Sequence, residues 1–197
     1  MPTRVEAISQ GSDVVDVADV LLHLRAQGVG DEVYLAGTLI PGVVAKVEER
    51  YGAALSERQF RQTQDDVEPG IRVPDHWHPP RLEPTYSGSR IRLLRRPVIS
   101  VEKVAVLDDE GTETAFTDYY VSGEYVVLRR SLPPRRRVGG IVVEFTAGGQ
   151  VSDSVRLDLM RLMADVYDQR GLYVSGTIVT GLPDVSGLFT DLREVVL

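Results

Sequence analysis

Ile141-Val142-Val143-Glu144-Phe145-Thr146-Ala147-Gly148-Gly149-Gln150-Val151-Ser152-Asp153-Ser154-Val155 is the stretch on which the fold turns. Up to Thr146 the apolar residues Ile141, Val143 and Phe145 alternate, which is the period of a strand with one buried face. After Gly148-Gly149 the period changes. Val155, Leu159, Leu162, Met163, Val166 and Tyr167 recur at helical spacing and form the cleanest amphipathic stripe in the chain. Ser152 can accept from the free amides of the first turn, and Asp153 suits the positive end of the helix dipole. Gly171 stops the pattern, which predicts a long helix over 152–170. A β block thus ends, and a helical region resumes, within a few residues.

Working back from Gly140, the β block contains a hairpin of Tyr119 to Ser122 and Tyr125 to Arg129 around Gly123-Glu124. A second turn, Asp108-Asp109-Glu110-Gly111, joins Val98 to Leu107 with Glu113 to Phe116. Ile91 to Leu94 reads as a short strand. Arg58, Phe60, Gln62 and Gln64 share one parity and read as a weakly amphipathic one. Between them, residues 66–90 carry Pro69, Pro74, Pro79, Pro80 and Pro84, which no regular element tolerates, so a long contact loop is expected.

Ahead of this β-rich insert, 56–147, the pattern over 12–55 is a helix pair. Val14, Val17, Ala18, Leu21 and Leu22 follow a cap at Ser12 or Asp13, with Gly28 and Gly30 ending the first helix. Asp31 and Glu32 open the second, whose apolar positions are Leu35, Leu39, Val43, Val44 and Val47, with Glu48, Glu49 and Arg50 on its wet side or at its edges and Gly52 as its cap. Pro41 should kink or interrupt it. Residues 1–11 read as a loose arm. Beyond the long helix, 171–197 is a linker and a short helix from Pro183 with Leu188, Phe189 and Leu192 on its apolar edge. The fold class expected is α+β: a helical bundle of two N-terminal helices and a long helix near the C-terminus, an inserted antiparallel β subdomain and a short C-terminal helix, all within one domain, 1–197.

Composition narrows the chemistry. The chain has no cysteine, which removes thiol catalysis, disulfides and Cys-based zinc sites. A net charge of −7 argues against a dedicated nucleic-acid binder. No apolar run approaches a membrane span, and the N-terminus lacks the apolar core of a secretory signal, so use in a cytosol or in something assembled there is expected.

His76-Trp77-His78 is the most tempting metal site, since histidines two apart on a strand point the same way. Zinc needs three or four ligands, and the third histidine, His23, lies in the first helix. A loop that touches a neighbour is therefore preferred. Asp108, Asp109 and Glu110 read as a solvated turn rather than a carboxylate cluster. Arg135, Arg136 and Arg137, with Arg129, Arg130, Arg95 and Arg96, form the one basic concentration. They can meet phosphate, or sit on a solvated strand edge, or pair across a subunit boundary, and the last is preferred. Neither Gly139-Gly140 nor Gly148-Gly149 matches a phosphate loop, and no GxSxG elbow occurs. No catalytic residue, cofactor or metal is expected.

The order of segments resembles the head–tail connector (adaptor) proteins of long-tailed phages and gene transfer agents. The residues that carry the likeness are Val47-Glu48-Glu49-Arg50-Tyr51-Gly52-Ala53-Ala54-Leu55 closing the second helix, and Arg58-Gln59-Phe60-Arg61 after it. With them stand Ile91-Arg92-Leu93-Leu94-Arg95-Arg96-Pro97-Val98-Ile99-Ser100-Val101, Ile141-Val142-Val143-Glu144-Phe145-Thr146-Ala147-Gly148, and Leu182-Pro183 opening a C-terminal helix. The resemblance implies a non-enzymatic structural subunit at the head–tail junction of a virion or virus-like particle, assembled in the host cytoplasm. It implies a homo-oligomeric ring of about twelve copies whose closure sets the number. The portal protein would lie above and a stopper or tail-terminator protein below. DNA would pass through the lumen without sequence-specific binding, and no membrane is involved. Leu182, Pro183, Val185, Leu188, Phe189 and Leu192 would dock on the portal, while His76, Trp77, His78, Arg135, Arg136 and Arg137 would contact neighbouring subunits. The alternatives are a metal-dependent hydrolase using His76 and His78, or a free ligand-binding β module.

Overall fold

The computed structural model describes residues 3–9, 14–25, 29–69 and 89–169. It is α+β with two antiparallel sheets, and the chain divides into two compact units. One comprises Met1–Gln10 and Arg58–Ala147, the other Gly11–Glu57 and Gly148–Leu197.

The described elements of the first unit are strands. Its strands are β1 (Arg4–Ala7), β2 (Arg58–Gln64), β3 (Arg90–Arg92), β4 (Val98–Leu107), β5 (Glu113–Ala115), β6 (Tyr119–Ser122), β7 (Tyr125–Leu128) and β8 (Ile141–Ala147). They form a five-stranded sheet in the order β1-β2-β8-β4-β5 and a three-stranded sheet in the order β3-β7-β6. β8 lies at the centre of the larger sheet. Ile141, Val142, Val143, Phe145 and Ala147 are fully buried, so the strand is apolar on both faces for most of its length. The parity expected for β2 holds: Phe60, Gln62 and Gln64 point inward, and Phe60 lies opposite Phe145 with ring centroids 5.7 Å apart. Such a stacked pair contributes about 1 kcal/mol beyond its buried area.

Gln62 is a glutamine with no exposed surface in the middle of an apolar face. Its amide explains this. Nε2 donates to Arg92 O at 2.7 Å and to Gln64 Oε1 at 2.8 Å, and Oε1 accepts from Leu94 N at 3.0 Å. The side chain therefore binds the backbone that follows β3 to the larger sheet and meets its own hydrogen-bonding needs in doing so. Ile91, Leu93, Val126 and Leu128 supply the apolar side of the same unit.

The second unit is helical: α1 (Val17–Leu24), α2 (Val29–Tyr34), a π-helical turn (Leu35–Leu39), α3 (Ile40–Tyr51) and α4 (Asp153–Gln169). Val20 from α1, Leu35, Leu39, Val43 and Val47 from the second helix, and Val155, Leu159, Leu162 and Met163 from α4 share one core. The stripe read in α4 is the buried one, and Ser152 caps it, accepting from Val155 N at 3.3 Å. No described helix is long and apolar enough to cross a membrane.

Three local readings are corrected, and the interruption expected at Pro41 is found. Arg4–Ala7 is not a loose arm but β1, paired along β2 from Arg4↔Thr63 to Ala7↔Phe60. Val5 and Ala7 alternate with Arg4 and Glu6, but the run is only four residues long and none of it is fully buried, so it is pairing with β2 that makes it a strand. The first helix starts at Asp16, whose side chain accepts from Ala18 N at 2.9 Å, and stops at Arg25 in the left-handed conformation, while Gly30 lies inside α2. Ser12, Asp13 and Gly28 lie outside the described residues. Pro41 interrupts the α-helical ladder without ending the helix. The Ile40 amide reaches back to Leu35 O, five residues away, and Pro41 then occupies the first turn of α3, where its missing N–H costs nothing. Glu48 is buried, not wet: its carboxylate accepts the Leu55 amide at 2.8 Å and tethers the chain beyond α3.

Gly148 has φ +110°, and a Cβ there would lie 2.1 Å from Ser56 O. The backbone leaving the helical unit at Ser56 and the backbone returning at Gly148 touch, and only glycine fits. Gly148→Ala is expected to lower the unfolding free energy by more than about 2 kcal/mol, from strain plus the clash. Urea denaturation of the two proteins measures it.

Candidate assembly surfaces

The larger sheet carries a row of alternating charge on the face opposite Phe60 and Phe145. The register sets Glu6 beside Arg61, Arg61 beside Glu144 and Glu144 beside Lys103. Arg61 Nη1 donates to Glu144 Oε1 at 2.8 Å, and both Arg61 and Lys103 pair with Glu113 on β5. Acid and base thus alternate across all five strands, each neighbouring pair stabilising the register by some tenths of a kcal/mol. The hydrogen bond from Lys103, with the bond and charge of Arg61, outweighs burial and holds the Glu113 carboxyl below its ordinary value. Glu113 is therefore held as a carboxylate, the wrong form for a general acid. Each residue of the row looks unremarkable in the sequence, because their adjacency exists only once β2, β8, β4 and β5 are in register.

The arginines find many partners within their own chain. Arg96 and Arg92 share Glu124, at 3.0 and 3.2 Å, and Arg90 pairs with Glu68 at 3.0 Å. Arg130 pairs with Asp118 at 3.3 Å, and Arg135 lies 3.4 Å from Asp66. Arg136 turns onto Gly139 O, at 3.2 and 3.1 Å. Arg129 and Arg137 are exposed and have no ion-pair partner among the described residues. The preferred reading of the cluster as pairs across a subunit boundary thus meets intrachain partners at Arg135 and Arg136, supplied by residues distant in sequence. Asp108 forms the expected turn: its carboxylate accepts from Thr112 N at 2.7 Å, and Gly111 has φ +87°.

In the helical unit, Tyr167 donates to Asp31 Oδ1 at 2.9 Å and its ring lies 6.5 Å from that of Tyr34, so the end of α4 adjoins the start of α2. Leu22 and Val33 are 81 % and 68 % exposed. His76, Trp77 and His78 lie outside the described residues, as do Leu182, Pro183, Val185, Leu188, Phe189 and Leu192. Among the described residues no three His, Asp or Glu side chains are grouped to hold a metal.

No family model and no curated protein matches the chain. Solved structures do. A chain from the neck of an empty gene transfer agent particle, computed with C6 symmetry, superposes with a TM-score of 0.62 at 19% identity, covering 85% of each chain. A chain from the virion of a native gene transfer agent particle gives 0.58 at 21% identity, covering 84% of each. A chain from the neck of a native particle, computed with C12 symmetry, gives 0.56 at 19%, covering 91% of this chain and 88% of that one. The protein has the fold of these neck and virion chains. The chains that share its fold come from particles of a kind that the sequence resemblance names.

The charge row has a pH signature. A carboxyl lowered in the folded state adds stability above its ordinary value of 4.5, and that stability is lost as pH falls through the lower folded value. Glu113→Gln should therefore be less stable than the wild type at pH 7, with the gap narrowing as pH is taken below 4.5. Urea midpoints across that range test it, and a gap independent of pH would contradict the assignment.

Proposed function

We propose that the chain is a structural adaptor subunit that forms a ring of about twelve copies. The ring would sit between the portal and the stopper or tail of a phage-like particle, with DNA passing through its lumen. The observation that carries this reading is the fold shared with gene transfer agent neck and virion chains over most of both lengths. The residues are in keeping with it. The described side chains are spent on packing, cross-strand ion pairs and backbone ties, and they assemble no nucleophile, base and oxyanion donor.

A ring subunit needs two different faces that match each other on successive copies. It also needs a wall that keeps its shape under load, and a five-stranded sheet clamped by ion pairs and a helical core closed by α4 provide rigid parts. The net charge of −7 suits a channel for DNA, since anionic surfaces neutralise no phosphates and release no counterions. In this reading Leu182, Pro183, Val185, Leu188, Phe189 and Leu192 dock on the portal. His76, Trp77, His78 and the exposed Arg137 belong to surfaces that meet neighbouring subunits.

Deleting residues 183–197 should abolish capture by the portal protein in a pull-down while leaving the far-ultraviolet circular dichroism of the remaining helices and sheets in place. Undiminished capture would refute the docking assignment. Hydrogen exchange should slow in residues 66–90 when the free subunit is compared with the assembled particle, and unchanged exchange would remove that loop from the contacts.

A further inference from the structure

On the reading of the chain as a ring subunit, we infer that the open edge of the three-stranded sheet docks on the helical unit of a second copy. The last strand of that sheet, β6, has β7 on one side and no described strand on the other. Tyr120 and Val121 on it are 46 % and 44 % exposed. The Arg129 guanidinium lies 5.8 Å from the Tyr120 ring centroid, and no carboxylate among the described residues pairs with it. An open edge strand with exposed aromatic and β-branched side chains invites pairing, and proteins usually blunt such an edge. Here the blunting is one cation, which selects what can approach.

Charge identifies the occupant. The helical unit holds fifteen acidic against seven basic residues, and the β unit fourteen against fifteen, which together make the chain's 29 and 22. The net negative charge of the chain therefore belongs to the helical unit, the β unit being close to neutral. Part of its excess lies where α2 begins and α4 ends, the two segments that the Tyr167–Asp31 bond draws together. Glu32, Asp165 and Asp168 are exposed there without an ion-pair partner among the described residues, and exposed Val33 adjoins Glu32. Asp165 and Asp168 lie in the last two turns of α4, at the negative end of its dipole, where a carboxylate is unfavourable and an incoming cation relieves it.

The sheet edge thus offers exposed apolar groups with an unpaired cation, and the helical surface offers an exposed valine with unpaired anions. Two sheet edges brought together would oppose their arginines, so edge-to-edge pairing of two copies is disfavoured. A contact between two unlike surfaces is heterologous, the kind that repeats around an axis and closes a ring.

The absence of cysteine gives a clean test. Chains bearing Arg129→Cys and Asp168→Cys are prepared separately, mixed with portal protein under conditions where the wild type assembles, and oxidised. A mixed cross-linked dimer should form well above either chain alone. Separately, Arg129→Glu and Asp168→Arg should each weaken assembly about tenfold or more, and the chain carrying both should recover it, because every contact then regains opposite charges. Mass photometry reads the assembly. Wild-type rings without the mixed cross-link or the recovery would overturn this contact and leave the ring reading standing. A cross-link of the Arg129→Cys chain with itself would overturn it in favour of edge-to-edge pairing. A wild type that forms no ring even with portal protein would remove the ring reading and this contact with it.

Discussion

The close approach of Gly148 to Ser56 is the constraint on which the rest of the structure depends. A chain that interrupts a helical unit with some ninety residues of β structure must leave and return at nearly the same point, or the helices would be pulled apart. Here the two backbones touch, with Ser56 O where a Cβ of residue 148 would be. One residue further on, the same two segments become paired strands, Arg58 opposite Ala147. β8 then delivers the chain to Ser152 and α4, whose Leu159 and Met163 complete the helical core. Each unit can thus be closed by its own contacts while the chain crosses from one to the other three times.

Polar groups do two different jobs on the two faces of the larger sheet. On the inner face, Gln62 is wholly buried and its amide meets backbone groups that an apolar side chain would leave unsatisfied. On the other face, Arg61, Glu144, Lys103 and Glu113 neutralise one another at the surface. The first arrangement specifies which segment lies against the sheet. The second specifies which strand lies beside which, because a slip of one residue would oppose the charges to apolar neighbours. Both arrangements hold the β unit in one register.

Outside these rows, the surface is uneven in a way that suits assembly. The β unit is close to neutral but rich in arginine, and the helical unit carries the net negative charge. Arg129 and Arg137 have no ion-pair partner among the described residues and, with the exposed Tyr120, Val121 and Val138, mark surfaces open to contacts. A ring subunit, in the reading proposed for this chain, is expected to have such surfaces in unlike pairs.

Periodicity was enough to read β2 and α4, which bury a regular stripe, and the turns at Gly111 and Gly123 marked the hairpins. These signals are local, since burial repeats every two residues in a strand and every three or four in a helix. What periodicity could not show were features that depend on a partner far along the chain. Arg4–Ala7 is a strand only because β2 offers an edge. Glu48 is buried only because the Leu55 amide needs an acceptor, and Arg135 is paired only because Asp66 comes beside it. Of the residues read as contacts, Arg135, Arg136 and Arg137 were legible as a charge cluster, but which of them stay exposed was decided by the loop's own folding. The sequence by itself determined the alternation of helical and β segments and the absence of cysteine chemistry. Only the tertiary structure decided the charge row, the sheet order and the place of β6 at the edge of the described three-stranded sheet, because these are relations between strands and no single strand contains them.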